Sequence, residues 1–380
     1  MPASAPADLL VEKQLFELAD FTTLGGATIG RVRVGWESYG RLNAAKENVV
    51  LVTHHYSGTS HAAGRYRPDD ALPGYWDAII GPGKAIDTDR FYVISCDTLV
   101  NLNAKDPNTI TTGPASIDPA TGKPYGMSFP IVTIRDFVNV QKALLDHLGI
   151  TSLHAVVGPS MGALQALEWA SVYPDRVGRV VAAIGGAEEN AFLIGWLDLW
   201  SAPIRLDPAW NGGDYYGRAE PIRGLTEALK LVTLQATQWP WVDRMFGRGW
   251  ADPGRNPADA MEYRFAVASW LEQTAAARAA LCDANHFLYL ARANQLFLVG
   301  HGGSVEAGLQ SIAAPILLIA SADDLVFPPQ RHARALRDRL AALGKQVSYT
   351  EVITTDLGHL DGLAHIDRAG PDIAAFLTEA

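Results

Sequence analysis

The stretch Val156-Val157-Gly158-Pro159-Ser160-Met161-Gly162-Ala163 lies between two segments of different character. An apolar, β-branched run ends at Val157, and a run rich in helix formers, Ala163 to Ala170, follows. A strand, G-x-S-x-G and a helix in this order are typical of a nucleophile elbow, in which a serine lies at the tip of a sharp, strained turn. The two glycines let strand and helix approach closely. A chance G-x-S-x-G in a loop is the alternative, and both flanking segments disfavour it.

A serine hydroxyl becomes a good nucleophile when a base takes its proton, and the base needs an orienting carboxylate. In chains with this elbow the carboxylate and then the histidine come later in the sequence. Asp324 follows the apolar run Pro315 to Ala320 and precedes Pro328 by four residues, which is a typical spacing. We therefore predict Asp324 as the orienting carboxylate, with Asp323 as the alternative.

The predicted base is His359, which follows the last strand-like segment of the chain, Val347 to Ile353. Its position after this segment disfavours the alternative of a solvated surface histidine. His365 is the competing histidine, but it opens the last predicted helix, which favours a structural role.

The oxyanion that forms during attack on a carbonyl needs two N–H donors. The residue after the serine, Met161, supplies one donor from the start of the helix. The loop after the strand-like segment Asn48 to Thr53 supplies the other. Tyr56 in this loop is the predicted second donor, and His55 is the alternative.

Histidine and cysteine patterns indicate neither a metal site nor a disulfide framework. His54, His55 and His61 cluster in the sequence, yet no acidic or cysteine residue lies at ligand spacing, so we predict no metal. Two cysteines, Cys96 and Cys282, are too few for a disulfide framework and are predicted to be free and buried.

The chain has 380 residues, of which 48% are hydrophobic and 19% charged, as in a globular protein with a large core. A net charge of −10 argues against nucleic-acid binding, because few basic groups are available to neutralise phosphates. The first ten residues show no signal-peptide pattern, and no run of about 18 apolar residues could span a membrane. We therefore expect a cytoplasmic protein.

Strand patterns alternate with helix patterns over most of the chain, which predicts an α/β fold with a mostly parallel sheet. Besides the elbow strand, the predicted strands are Ile29 to Tyr39, Asn48 to Thr53, Phe91 to Cys96, Val177 to Ile184, Pro315 to Ala320 and Val347 to Ile353. The predicted helices besides the elbow helix are Arg135 to Leu148, Gln330 to Ala342, and about Ile366 to Leu377. Two long irregular stretches, Gly58 to Gly83 and Asn101 to Pro130, interrupt this pattern.

The pattern changes between Ala187 and about Ser304, where the sequence is helical and rich in tryptophan. A helical block inserted between strands of a parallel sheet is expected to cover the carboxyl ends of the strands, where such sheets place their sites. The predicted domains are therefore a core of residues 1–186 and 305–380 and a helical cap of residues 187–304.

Nearly end to end, the chain resembles the homoserine O-acetyltransferase family of α/β-hydrolase-fold enzymes. The resemblance rests on matching segments in the first half, the elbow helix and the cap. They are 36–43 (WESYGRLN), 81–90 (GPGKAIDTDR), 112–116 (TGPAS), 121–126 (TGKPYG), 165–170 (QALEWA), 207–213 (DPAWNGG), 246–248 (FGR) and 283–285 (DAN). The resemblance implies a Ser–Asp–His triad, an acyl-serine intermediate and no bound cofactor. It also implies acetyl-CoA as acyl donor and a homodimer joined through cap helices.

The chain departs from the family where the amino-acid substrate is bound. The family arginine that binds the acceptor's carboxylate corresponds to Leu229, and a second family arginine corresponds to Thr237. The aspartate that follows the catalytic histidine in the family is Leu360 here, and residues 103–108 (NAKDPN) replace a Gly-Cys-containing loop. Lys230 could supply a charge, but it lies about 100° round the helix from residue 229. Homoserine is therefore a doubtful acceptor.

The predicted function is transfer of an acetyl or other small acyl group to a small hydroxyl or amine acceptor, and carboxylic ester hydrolysis on the same triad is the alternative. An acyltransferase excludes water until a small hydroxyl or amine acceptor takes the acyl group, whereas an esterase admits water. A binding protein on this fold is a third hypothesis, which the complete triad disfavours. The substrate-binding residues cannot be read from the sequence.

Overall fold

The protein is described by a computed structural model over residues 9–352 and 356–379. Residues 1–8, at the start of the N-terminal segment discussed above, and Ile353, the predicted end of the last strand, lie outside these residues. The strands are β1 Gln14–Thr22, β2 Thr28–Tyr39, β3 Val49–Val52, β4 Ile80–Gly81, β5 Ile86–Asp87, β6 Tyr92–Cys96, β7 Ala155–Pro159, β8 Val180–Ala183, β9 Ile316–Ser321 and β10 Val347–Val352.

The helices begin after the sixth strand and then alternate with the remaining strands, except for one long helical block. They are α1 Ile134–His147, α2 Met161–Val172, α3 Ala191–Leu206, α4 Ile222–Ala236, α5 Trp239–Phe246, α6 Ala266–Ala279, α7 Ala284–Gln295, α8 Val305–Ser311, α9 Ala333–Ala342, α10 Asp361–Ala364 and α11 Gly370–Thr378. Short 3₁₀ turns lie at Gly126–Ser128, Pro174–Arg176, Pro208–Gly213, Gly358–Leu360 and Ile366–Ala369.

Eight strands form one sheet in the order β1-β2-β6-β3-β7-β8-β9-β10, and β4 pairs with β5 separately. β1 and β2 are antiparallel to each other, and β2 is antiparallel to β6. All neighbours from β6 to β10 are parallel. The predicted α/β fold with a mostly parallel sheet is therefore confirmed.

The central strands are apolar on both faces because helices cover the sheet on both sides. Along β3, Val49 and Leu51 belong to one hydrophobic cluster, whereas Val50 and Val52 belong to the cluster on the opposite face. All four side chains are buried. A strand that is buried on both faces reads as a continuous apolar run, which is why this segment was recognisable in the sequence.

The helical block lies between β8 and β9. Helices α3 to α7 fall within residues 187–304, and α3 and α6 both contact α4. Two isolated bridges, Glu188 with Leu298 and Trp250 with Phe265, are the β-type pairings seen in the described part of this block. The block begins where the chain leaves the carboxyl end of β8.

Sequence patterns located the central elements to within a few residues but missed β1. In that strand only Phe16 and Phe21 are buried, and Asp20 between them has φ 51° and no partner in the register with β2. The register keeps the same offset on both sides of Asp20, so no residue is inserted, and the left-handed conformation at Asp20 interrupts the alternation that predicts a strand. The last predicted helix is instead a 3₁₀ turn followed by α11, which has Pro371 in its first turn.

None of the helices in the described residues is both long and apolar enough to cross a membrane.

Candidate active site

Ser160 lies at the junction of β7 and α2 with φ 56° and ψ −122°, a conformation that is strained for a residue with a side chain. The neighbouring glycines make this turn sterically feasible. A Cβ at Gly158 would lie 2.2 Å from Thr53 Oγ1, and a Cβ at Gly162 would lie 2.1 Å from the Thr53 carbonyl oxygen. The strand, the turn and the helix therefore form the sharp elbow that the sequence predicted.

The structure brings Ser160, His359 and Asp324 into one hydrogen-bonded chain. Nδ1 of His359 donates to Oδ2 of Asp324 at 2.7 Å. Nε2 of His359 is then free to accept from the Ser160 hydroxyl, 2.9 Å away. The three side chains come from positions up to 199 residues apart and are all buried. This geometry allows the imidazole to remove the serine proton.

Asp324 and Asp323 occupy different environments. The Asp324 carboxylate is buried, and its Oδ1 accepts from the backbone N–H groups of Val326 at 2.7 Å and Phe327 at 2.9 Å. These bonds leave Oδ2 directed at the histidine. Asp323 contributes its backbone carbonyl, which accepts from Gln238 Nε2 at 3.0 Å. The structure therefore places the Asp324 carboxylate at His359.

His359 lies in a 3₁₀ turn between β10 and α10. The carbonyl of Gly358, the preceding residue, accepts from the Ser321 hydroxyl at 2.7 Å, which ties this turn to the end of β9. The competing histidine, His365, instead has its Nδ1 2.8 Å from Oδ1 of Asp361. The structure thus places His359 at the serine and turns the ring of His365 toward another carboxylate.

The two predicted oxyanion donors lie beside the serine. Met161 is the first residue of α2, so its N–H belongs to the first-turn groups that have no carbonyl partner within the helix. Tyr56 lines the same cavity as Ser160, and its hydroxyl donates to the Phe287 carbonyl at 3.2 Å. Burial lowers the pKa of His55, the alternative donor residue, to about 3, so its imidazole is neutral at physiological pH.

The cavity at Ser160 is small and mostly apolar. Its volume is about 30 Å³, which is room for about one water molecule. Helix α3 forms one wall, and the loop after β9 forms another. The lining residues are Tyr56, Ser160, Met161, Glu189, Leu193, Trp196, Leu197, Trp200, Asn294, Val326 and Phe327. Such a space favours a short acyl group on the serine over a long one.

Glu189 is a lining residue that sequence reasoning missed. It follows β8 at the start of the helical block and is 8% exposed. The only sequence signal was a pair of acidic residues in an otherwise apolar segment, and such a pair normally indicates a solvated loop. The sequence predicted that Trp-rich helices would cover the site, and Trp196 and Trp200 do line it.

The two positions expected to match substrate-binding arginines of the homoserine O-acetyltransferase family, Leu229 and Thr237, are uncharged. Leu229 on α4 is fully buried among apolar side chains. Thr237 is buried, and its hydroxyl donates to the Leu234 carbonyl at 2.9 Å. Lys230, which could have replaced the arginine, is paired with Glu227 at 2.9 Å and Glu272 at 3.2 Å.

The histidines of the oxyanion loop have partners within the protein. His54 Nε2 accepts from the Thr98 N–H at 3.2 Å, and His61 Nδ1 lies 3.0 Å from Glu37 Oε2. Within residues 9–352 and 356–379, no group of three or more His, Cys, Asp or Glu side chains is arranged to hold a metal ion. Cys96 and Cys282 are free and buried, as predicted.

Comparison with known proteins relates this chain to one fold family and to two kinds of enzyme within it. A family model described as alpha/beta hydrolase fold matches residues 72–365. The chain is 39% identical to a homoserine O-acetyltransferase of Methanococcoides burtonii, over 94% of this chain and 72% of that protein.

Solved structures of both kinds superpose on the whole molecule. Esterase E22 is 48% identical, with a TM-score of 0.93, and the match covers 97% of this chain and all of that one. A homoserine O-acetyltransferase from Bacillus anthracis is 34% identical, with a TM-score of 0.92, and the match covers 98% of each chain.

Proposed function

Because the chain belongs to the α/β-hydrolase fold family, and within it to the homoserine O-acetyltransferases, it is an acyl-transfer enzyme, and we propose that it acts through an acyl-Ser160 intermediate. The observation that carries this proposal is the continuous hydrogen-bonded chain from Ser160 through His359 to Asp324. The sequence and structure comparisons confirm the expected similarity to the homoserine O-acetyltransferase family. The roles of individual residues given below are our proposals.

In the first half-reaction His359 takes the proton of the Ser160 hydroxyl while the oxygen attacks the acyl carbonyl. Asp324 holds the imidazole in the tautomer that accepts at Nε2 and stabilises the imidazolium. The N–H groups of Met161 and Tyr56 bind the oxyanion. The imidazolium then protonates the leaving group, and an acyl ester remains on Ser160.

In the second half-reaction His359 activates the acceptor, which attacks the acyl ester and restores the serine. Residues 187–304 serve as the cap in this scheme, since α3 and the residues before it close over the cavity. The cavity of about 30 Å³ supports a short acyl group, such as acetyl.

We propose water as the principal acceptor, which makes the protein a carboxylic ester hydrolase. The support comes from the absence of charge where the family binds its amino-acid substrate, at Leu229, Thr237 and Leu360. A carboxylate held without its arginine loses a charge-assisted hydrogen bond worth about 1.5–3 kcal/mol. The 48% identity to esterase E22, over nearly the whole chain, supports the same acceptor.

Transfer to a small hydroxyl or amine acceptor is the second candidate. It is favoured by the apolar, tryptophan-lined wall of the cavity, because little room is left for water near Ser160. In that case acetyl-CoA is the proposed donor, as a co-substrate and not as a bound cofactor. The homodimer through cap helices and the cytoplasmic location expected from the sequence also remain proposals.

Intact-mass spectrometry tests the intermediate. The full chain is exposed briefly to acetyl-CoA or to p-nitrophenyl acetate, with Ser160→Ala as the control. We expect a mass gain of one acetyl group that is absent in Ser160→Ala. A gain of equal size in Ser160→Ala would show that another residue is acylated and would refute the nucleophile.

The acceptor is tested in the same reaction at steady state. The rate of acetate release is compared with the rate of ester formation when homoserine or a simple alcohol is added. Hydrolysis is expected to dominate, at most slightly reduced by the added alcohols. Efficient transfer to an added acceptor with little acetate release would favour the second candidate.

A further inference from the structure

The cavity at Ser160 contains a carboxyl group that the proposed triad does not use. Glu189 lies in the segment between β8 and α3, and its N–H donates to the Phe297 carbonyl at 3.1 Å. The next pairing along this segment joins Glu188 to Leu298. These two backbone contacts fix the direction of the segment, so that the side chain of Glu189 lines the cavity while its neighbours face elsewhere.

The side chains on either side of Glu189 have partners away from the cavity. Glu188 is partly exposed and pairs with Arg339 at 3.1 Å. The Asn190 amide donates to Nε2 of His332 at 3.1 Å, and its oxygen caps α3. Glu189 is the member of this run that lines the cavity at Ser160.

The carboxyl of Glu189 lacks the partner that burial normally requires. Its Oε2 is fully buried, and no hydrogen-bond partner for that atom exists among the described residues. A buried polar atom without a partner costs about 1–3 kcal/mol. In an active-site cavity, an atom of this kind marks a place where a ligand atom can form the missing bond.

Burial raises the pKa of Glu189 to about 8, and no charged neighbour contributes to this shift. The group is therefore mostly protonated near pH 7, and it offers one O–H donor as well as an acceptor oxygen. A cationic substrate group is a poor match, because both charges would lose their hydration in an apolar cavity.

We propose that Glu189 is a substrate-binding residue that donates a hydrogen bond to an oxygen atom within the acyl group, and that the enzyme prefers short acyl groups carrying an ether, hydroxyl or keto oxygen. This inference rests on the proposed function, since it assumes an ester attacked by Ser160. The acyl part is the part concerned, because the same small cavity contains Ser160 and the proposed oxyanion residues Met161 and Tyr56.

The test uses two esters of the same leaving group and nearly the same shape, p-nitrophenyl methoxyacetate and p-nitrophenyl butyrate. In the first, an ether oxygen replaces a methylene of the second. The kcat/KM ratio of the two esters is measured near pH 7 for the full chain and for variants. Comparing ratios between variants removes the intrinsic difference in reactivity of the two esters.

Glu189→Met removes the donor and keeps a side chain of similar length, whereas Glu189→Gln keeps a donor. We expect the methoxyacetate-to-butyrate ratio to fall roughly 5- to 10-fold in Glu189→Met, as for one lost hydrogen bond. Glu189→Gln should keep most of the preference. Glu188→Gln is the matched control, since it makes the same chemical change at the neighbouring residue, which does not line the cavity. Its methoxyacetate-to-butyrate ratio should equal that of the wild type.

The outcomes distinguish a failure of the proposed acyl-Ser160 function from a failure of the proposed role of Glu189. If neither ester acylates Ser160 in the wild type, the proposed function fails. If both esters are hydrolysed and the ratio is the same in the wild type and in Glu189→Met, the role of Glu189 alone is refuted.

The folded stability of Glu189→Met gives a second check. Since the carboxyl has an unpartnered oxygen, an apolar replacement is expected to keep or raise the melting temperature. A variant that fails to fold would show that the carboxyl is satisfied within the protein, which would overturn the proposal.

Discussion

Asp323 and Asp324 are adjacent in the chain, but their hydrogen-bond partners differ, which indicates different roles. Two backbone N–H groups bind one oxygen of the Asp324 carboxylate and so hold the other oxygen 2.7 Å from His359. The contact of Asp323 is made by its backbone carbonyl, to Gln238. A substitution that changes only the side chain should therefore affect the two positions unequally.

We predict that Asp324→Asn lowers kcat by on the order of 10⁴-fold, because an amide at this position favours the wrong imidazole tautomer. The oxygen of asparagine can still accept from the Val326 and Phe327 N–H groups, so the fold should persist. Asp323→Asn is the matched control, with an expected loss of less than tenfold. Steady-state hydrolysis of p-nitrophenyl acetate measures both, and the reverse ranking would move the role to Asp323.

Glu189 also predicts a dependence of stability on pH. Its pKa is raised from 4.5 to about 8 in the folded protein, so the folded state binds this proton more tightly than the unfolded state. The stability contributed by the group is therefore full below about pH 4.5 and is lost as the pH rises toward about 8, by about 1.4 kcal/mol per pH unit.

Urea unfolding of the wild type and of Glu189→Gln at about pH 5 and about pH 8 measures this effect. We expect the wild type to lose stability relative to Glu189→Gln as the pH rises, because glutamine does not ionise. Glu188→Gln, at a partly exposed ion pair, should show no comparable trend. A difference between wild type and Glu189→Gln that is equal at both pH values would contradict a raised pKa.

At the scale of elements, the C-terminal end of helix α4 is linked to the loop that carries Asp324. The end of this helix leads to Gln238, whose amide donates to the Asp323 carbonyl beside the triad. Leu229 lies about two turns earlier on the same helix and is fully buried. At the position expected to match the family's substrate arginine, α4 thus carries a buried apolar residue.

We predict that Leu229→Arg together with Leu360→Asp raises kcat/KM for transfer to homoserine by at least about 10- to 100-fold, which is the gain from one good charged contact of roughly 1.5–3 kcal/mol. The unaltered chain should be a poor homoserine acyltransferase even with saturating acetyl-CoA. Wild-type transfer at kcat/KM near about 10⁴ M⁻¹s⁻¹ or above would contradict this expectation.

The double variant needs a stability control. Arg278 already donates to the hydroxyl of Thr233, one turn beyond Leu229, at 3.3 Å, so a second guanidinium would be placed in a region that already holds one. The melting temperature of the double variant should therefore be measured beside its activity. The single variant Leu360→Asp leaves α4 unchanged. It therefore separates the effect of the restored aspartate on activity from the effect of a new arginine on stability.

At the scale of the whole molecule, exposed apolar side chains concentrate on the helical block. Phe192, Leu199 and Leu206 recur at seven-residue intervals on α3 and are 69%, 55% and 81% exposed. Residues at this spacing lie on one face of a helix. A solvent-facing apolar stripe of this kind commonly marks a contact between protein subunits.

We predict a homodimer in solution that uses this face of α3. Size-exclusion chromatography with light scattering should give twice the chain mass for the wild type and a shift to monomer for Leu199→Glu with Leu206→Glu. Leu72→Glu is the matched control, since Leu72 is 80% exposed but lies outside the helical block. A wild-type monomer, or a dimer that the double variant leaves intact, would refute this interface.

Local patterns in the sequence determined the elbow and the buried central strands. The elbow was predictable because its strand, glycines and helix lie within about 20 residues of one another, and each acts through short-range sterics. The buried strands β3, β6 and β9 were predictable because a sheet covered on both faces demands continuous apolar runs. Ser160, Asp324 and His359 follow β7, β9 and β10 in the chain order expected after such an elbow.

Tertiary structure alone decided what depends on contacts between distant segments. The hydrogen bond between Asp324 and His359, the pairing of Lys230 with Glu272 and the small volume beside Ser160 arise from residues far apart in sequence. Glu189 is the clearest case, since an acidic residue after a strand is ordinarily solvated. Its carboxyl lines the cavity at Ser160 and has a raised pKa because it is buried, and burial, unlike strand or helix patterning, is a property of the assembled molecule.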